Sequence, residues 1–168
     1  MKKYAKEIDR LIENNDGELI SNCSIEHAVV LLRKFFQHAK TRVRIFSGNL
    51  SYSAYKDNEL IEEVEIFLGT GGKLEVVVED DIEDNNSMLQ FIEEFPSNVN
   101  LFRLDATRLE KEPNFHFAIV DDNGYRFEGD KTKTVAIASF GDMDFTMKLG
   151  KSFDVLKECS NPYKEKTV

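Results

Sequence analysis

Residues 113–128 read "PNFHFAIVDDNGYRFE". The runs "FHFAIVD" and "YRFE" flank "DNG", and Asn-Gly supplies the positive φ angles of a tight turn, so the stretch predicts a β-hairpin. Along its first strand Asn114, His116 and Ala118 share one face, and Phe115, Phe117 and Ile119 the other. The Phe face is predicted core. The face carrying Asn114 and His116 is small and polar, which suits a pocket or an interface. The competing reading is an imidazole satisfied by a neighbouring backbone carbonyl. His116 is one of three histidines in the chain; His27 and His38 fall near the two ends of one predicted helix, where a surface role is expected.

Upstream of the hairpin, helices and strands alternate. Tyr4, Ile8, Leu11 and Ile12 share a helical face within residues 4–14, and "NNDG" ends that helix. "ELISNCS" is a short extended piece. Ser24 caps "IEHAVVLLRKFFQHAK", apolar on most sides. "RVRIFSG" is a strand with Val43 and Ile45 in the core, stopping at Ser47-Gly48-Asn49 before the loop "LSYSAY". "KDNELIEEVEIFLGTGG" is a helix stopped by Gly69, Gly71 and Gly72. "KLEVVVEDD" is a strand apolar enough to be covered on both faces. "NNSMLQFIEEF" is a helix and "NVNLFRLD" a strand. After the hairpin come the strand "TVAIASFG", a helix "DMDFTMKLGKSFDVLKE" capped by Asp142, and a frayed tail. The order implies an α/β fold: a mixed, mainly parallel sheet with helices on both faces. With 168 residues and no low-complexity segment, a single domain is expected, with an N-terminal extension at 1–23, a core at 24–158 and a tail at 159–168.

The net charge of −9 disfavours a broad nucleic-acid surface. A local basic groove would have to come from "RVR" at 42–44, Arg103, Arg108 and Lys111. No apolar run reaches the ~18 residues of a membrane span, and "MKKYAKEIDRLIENN" lacks the apolar centre of a secretory signal. Cys23 and Cys159 are isolated and expected as reduced thiols, so a cytoplasmic location and no membrane association are expected. No cofactor or metal site is read. "EDDIEDNN" from Glu79 lacks calcium-loop spacing and reads as a solvated acidic turn. "LGTGGK" follows a helix and opens a strand, the reverse of a phosphate loop. Ser47, Asn49 and Glu79 to Asp81 lie at carboxyl ends of parallel strands, where ligands of open α/β sheets collect.

The order of elements over residues 24–158, together with the strand "NFHFAIVDDNGYRFE", resembles one repeat of the phospholipase D superfamily. Its members hydrolyse or transfer phosphodiesters through an H-x-K-x4-D motif: the histidine attacks phosphorus, the lysine holds phosphate oxygens, and two motif copies face each other across one site. Aligned on Asp121, the lysine position is His116 and the nucleophile position Asn114. Aligned instead on His116 as nucleophile, the lysine position is Ala118 and the aspartate position Asn123. The Gly-Ser pair that usually follows is missing; Glu128-Gly129 stands there. An amide cannot form the phospho-enzyme that an imidazole forms, and alanine cannot balance phosphate charge. The resemblance therefore implies a degenerate domain acting as a binding or assembly module, a homodimer or a subunit with a protein partner. His116 and Asp121 are its catalytic remnants, and Asn114, Ser47, Asn49 and Ser139 its candidate binding residues. The alternatives are an active phosphodiesterase or nuclease using His116 in a dimeric site, and a phosphate-ligand or nucleotide sensor.

Overall fold

The computed structural model describes residues 1–50, 53–133 and 135–164. Its elements, in chain order, are α1 (Lys2–Glu13), β1 (Ile20–Asn22), α2 (Ile25–His38), β2 (Arg42–Ser47), a 3₁₀ turn (Ser53–Lys56), α3 (Asn58–Gly69), β3 (Lys73–Val78), α4 (Ser87–Glu94), β4 (Val99–Leu104), β5 (His116–Val120), β6 (Gly124–Glu128), β7 (Ala136–Ser139), α5 (Met143–Glu158) and β8 (Ser160–Pro162). Side chains set most of the helix starts. Ser24 accepts from the His27 N–H, Asp57 from Leu60, Asn86 from Met88 and Asp142 from Phe145, each satisfying a donor that the first turn leaves free. Gly71 ends the α3 segment with φ +94°, a conformation other residues rarely adopt.

The strands form one sheet in the order β1-β7-β6-β5-β2-β3-β4-β8. β2, β3 and β4 are parallel, joined by α3 and α4 as crossovers. β5, β6 and β7 add an antiparallel meander beside β2, and β1 closes that edge against β7. The larger core packs one face of the sheet, through Val43, Ile45, Val76, Ala118 and Val120, against α1 to α4. The smaller core packs the other face, through Phe46, Val77, Phe117, Ile119 and Tyr125, against Leu149, Phe153 and Leu156 of α5. The expected α/β sheet, mixed and covered on both faces, is the one observed. No described helix is long and apolar enough to cross a membrane.

The structure differs from the sequence reading in four places. Residues 160–162 do not fray: they pair with β4, Phe102 opposite Pro162 and Leu104 opposite Ser160. Polar composition hid a strand whose partner lies far away in sequence. Part of the "LSYSAY" loop is a 3₁₀ turn with Ala54 and Tyr55 buried; its residues 51 and 52, residue 134 of "TVAIASFG", and tail residues 165–168 lie outside the described residues. The hairpin turn takes its positive φ at Asp121 (48°), not at Asn123-Gly124. Gly124 is needed for space instead, because a Cβ there would fall 2.5 Å from Val120. Finally, both faces of β5 are core. Ala118 and Val120, on the face expected to be polar, are buried in the larger core, and the amino end of that face, at His116, opens to a pocket.

Candidate functional site

The pocket forms where β2 ends and β5 begins. These strands are antiparallel, with Phe46 opposite Phe117, so the carboxyl end of β2 meets the amino end of β5. The chain leaving β2 at Ser47-Gly48 passes against the imidazole: a Cβ on Gly48 would stand 3.6 Å from His116 Cε1. The chain leaving β3 is tied to the same place, because the Glu79 N–H donates to the carbonyls of Ser47 (3.1 Å) and Gly48 (2.8 Å). That fastening carries the Glu79 side chain inward, away from the acidic neighbours that follow it. Of those, Asp81 pairs with Arg103 and Glu83 with Lys56 at the surface.

His116 is gripped on both ring nitrogens. Nε2 lies 2.7 Å from Glu79 Oε2, and Nδ1 faces Glu128 Oε2 at 3.7 Å. Glu128 is the cross-strand neighbour of His116 on β6. It also accepts from Arg126 Nη2 at 2.7 Å, and Arg126 Nε donates to Asn22 Oδ1 at 2.8 Å. On the other side, Lys131 Nζ donates to Glu79 Oε1 at 2.8 Å and faces Glu112 at 3.3 Å. The Lys131 N–H donates to the Asn114 carbonyl (3.0 Å), which folds the β6–β7 connection back over the pocket. One web thus runs from Asn22 through Arg126, Glu128, His116, Glu79 and Lys131 to Glu112. The cavity beside it, about 250 Å³, is lined by Ser47, Asn49, Tyr55, His116, Glu128 and Lys131, among others.

The web sets the charge states. Burial pulls the His116 pKa down, but Glu128 and Glu79 outweigh it and the imidazole titrates above its ordinary value. Burial pushes the Glu79 pKa up, and His116 and Lys131 more than reverse this, leaving it below the usual carboxylate range. Glu128 follows the same pattern, with His116 and Arg126 outweighing burial. The web favours the protonated imidazole, set between two carboxylates.

The structure brings Ser47, Asn49 and His116 together and sends the other expected residues elsewhere. Asn114 precedes β5 and lines a separate, apolar cavity with Leu109, Phe115 and Val155. Ser139 is fully buried on β7, opposite Tyr125 and so on the α5 face. Asp121 lies at the far end of β5, about 16 Å along the strand from His116. There its carboxylate accepts from the N–H groups of Lys40, Thr41 and Arg42 and from the Thr41 hydroxyl. Ala118, the other position a motif lysine could occupy, is core. Sequence reasoning placed Glu79 beside a pocket without assigning it a role, and it missed Arg126, Glu128 and Lys131 as site residues. Strand parity held part of that signal: a hairpin puts Arg126 and Glu128 on the face of His116. Nothing local in the sequence points to Lys131. Among the described residues, no cluster of histidine, cysteine, aspartate and glutamate is placed to hold a metal.

No protein-family model matches the sequence, and no curated protein matches it. Solved structures do. NucT from Helicobacter pylori superposes with a TM-score of 0.64 at 14% identity, over 87% of this chain and 100% of its own. Nuc from Salmonella typhimurium, a phospholipase D family member, superposes with a TM-score of 0.64 at 13% identity, over 88% of this chain and 99% of its own. TrmBL2, an archaeal chromatin protein described as having a novel mode of DNA binding, gives 0.64 at 12% identity over 96% of this chain and 62% of its own. The fold is phospholipase D-like.

Proposed function

We propose that this chain is a catalytically degenerate phospholipase D-like domain that acts as a binding or assembly module, in a homodimer or a larger complex. The observation that supports this reading is the state of His116. Nucleophilic attack on phosphorus needs a neutral imidazole with an available lone pair. Here two carboxylates favour the protonated ring, and Nε2 lies 2.7 Å from Glu79 Oε2. A phosphodiester site also needs positive charge in excess, to meet the charge of the transition state. Around this pocket Lys131 is paired with Glu79 and Glu112, and Arg126 with Glu128. The cations are already matched by carboxylates, and a net charge of −9 favours a protein partner or a second copy over nucleic acid. Homodimerisation rests on the resemblance, in which two motif copies face each other, and on the single copy in this chain.

The test is hydrolysis of bis-p-nitrophenyl phosphate by purified protein, with the mass measured by light scattering. The expected result is no turnover above buffer and a mass of two or more protomers. Turnover that vanishes in His116→Ala would overturn degeneracy and restore the phosphodiesterase reading; a monomer would remove the homodimer.

One observation favours a second reading, a phosphate-ligand sensor: Lys131 enters the pocket beside His116 and Ser47. A nucleotide-dependent rise in melting temperature, lost in Lys131→Met, would establish it.

A further inference from the structure

Arg44 lies on β2, three residues before Ser47, on the opposite face of the sheet and beneath α5. It is only 5% exposed, and an arginine this deep is ordinarily bound by a carboxylate through two parallel hydrogen bonds. Arg44 is not. Its Nη2 donates to the Asp121 carbonyl at a long 3.3 Å and stands 3.8 Å from Asp122 Oδ1. Its Nε has no hydrogen-bond partner. Asp122 is held more closely by Arg42, at 2.8 Å, so two guanidinium groups share one carboxylate. Burial and the nearby Arg42 push the Arg44 pKa down from its ordinary value, and the carboxylates of Asp122, Asp154 and Glu75 oppose this without reversing it.

The space in front of this guanidinium is a cavity of about 280 Å³, lined by Arg42, Arg44, Asp122, Gly150, Lys151 and Asp154 among others. Three cations face it against two carboxylates. Gly150, in the middle of α5, is what keeps it open: a Cβ there would lie 3.1 Å from Arg44 Nη1. Glycine inside a helix is less stable than alanine, so this position gives up helix stability to leave a notch over a buried cation.

We propose that the Arg44 cavity binds a compact phosphate-type anion, either inorganic phosphate or the head of a phosphomonoester. The guanidinium is the deep anchor, and Arg42 and Lys151 are the cations at the rim. Three converging cations suit a doubly charged tetrahedral anion better than a single carboxylate. The site is independent of the His116 pocket and of the reading given for it.

The experiment is a thermal-shift titration of the full chain at constant ionic strength. Chloride serves as baseline, and inorganic phosphate, glycerol 3-phosphate and acetate are the probes. A ligand at one hundred times its dissociation constant raises the melting temperature by roughly 5 °C or more for a chain of this size. The expected result is a saturable rise with phosphate, with glycerol 3-phosphate, or with both, and no rise with acetate. The rise is absent in Arg44→Met, weakened at least tenfold in apparent affinity in Gly150→Ala, and retained in His116→Gln. Which of the two phosphates binds more tightly identifies the source. Since Arg44→Met removes a buried charge that lacks a full partner, it is expected to fold; should it not, Gly150→Ala decides. A flat wild-type titration, a rise equal with acetate, a Gly150→Ala variant that binds as wild type does, or a rise lost in His116→Gln and kept in Arg44→Met would each overturn the proposal.

Discussion

His116 opens the five-residue strand β5, Asp121 directly follows it, and the two are held in opposite ways. The Asp121 carboxylate receives three backbone N–H groups, from Lys40, Thr41 and Arg42, at 2.9–3.1 Å, and the Thr41 hydroxyl at 2.8 Å. Its own N–H donates to the Arg42 carbonyl. It clamps the entry of β2 to the end of β5. His116 is held by side chains alone, Glu79 and Glu128. Side chains can be exchanged or repaired one at a time, whereas backbone partners are fixed by the fold. The comparison gives Asp121 an architectural role: it ties the entry of β2 to the end of β5 through backbone donors.

The largest expected effect follows from that clamp. Asp121→Ala leaves three N–H groups without their acceptor and places alanine at φ 48°, where asparagine and aspartate are tolerated better. Charge-assisted hydrogen bonds contribute about 1.5–3 kcal/mol each and do not add fully, so the loss should be about 3 kcal/mol or more, read as a lowered urea midpoint. Asp121→Asn keeps the backbone preference and one acceptor oxygen, and should fall between. If His116→Ala costs more than Asp121→Ala, the architectural end of the strand has been misassigned. A smaller effect is expected at the other end. Glu79→Ala removes the shared partner of His116 and Lys131 and should cost roughly 1–2 kcal/mol near pH 6, because the imidazole can shed its proton and the lysine can reach solvent. A double-mutant cycle with His116→Gln should return a coupling energy of at least ~0.5 kcal/mol; additivity would mean that the short contact carries no stability.

The layers of the fold were legible in the sequence because periodicity, caps and turns are local. "KLEVVVEDD" announces a strand covered on both faces, and Ser24 and Asp142 stand where helix caps should. β8 was not legible: "SNP" has neither alternation nor apolar content, and it becomes a strand only because β4 offers an edge. The site was half legible. Ser47 and Asn49 could be placed from a strand end, and His116 from the polar face of its strand. Lys131 could not, since its position depends on how a loop after β6 folds back onto the Asn114 carbonyl. Asn114 and Ser139 were candidates only through the resemblance, which does not fix which side of the sheet a side chain enters.

The smallest effect is the pH dependence, and it separates the two ends most cleanly. The His116 pKa is raised in the folded state from 6.5. The folded state therefore binds this proton more tightly than the unfolded chain does. The resulting stability is complete below the unfolded value and is lost as pH rises through the higher folded one. Glu79 is depressed from 4.5, so its contribution is present above that value and is lost as pH falls through the lower folded pKa. Both contributions coexist only in the weakly acidic window between. Asp121 is depressed from 3.8 as well, since the backbone donors outweigh burial; its contribution is complete above that value and does not change through neutrality. The stability gap between wild type and His116→Gln should thus shrink from pH 6 to pH 9, while the gap between wild type and Asp121→Ala stays constant over the same range. Urea unfolding of the three proteins at four pH values measures both gaps. A His116→Gln gap that does not move with pH would mean that the imidazole is not held as a cation between Glu79 and Glu128. The contrast between a side-chain clamp and a backbone clamp would then lose its electrostatic half.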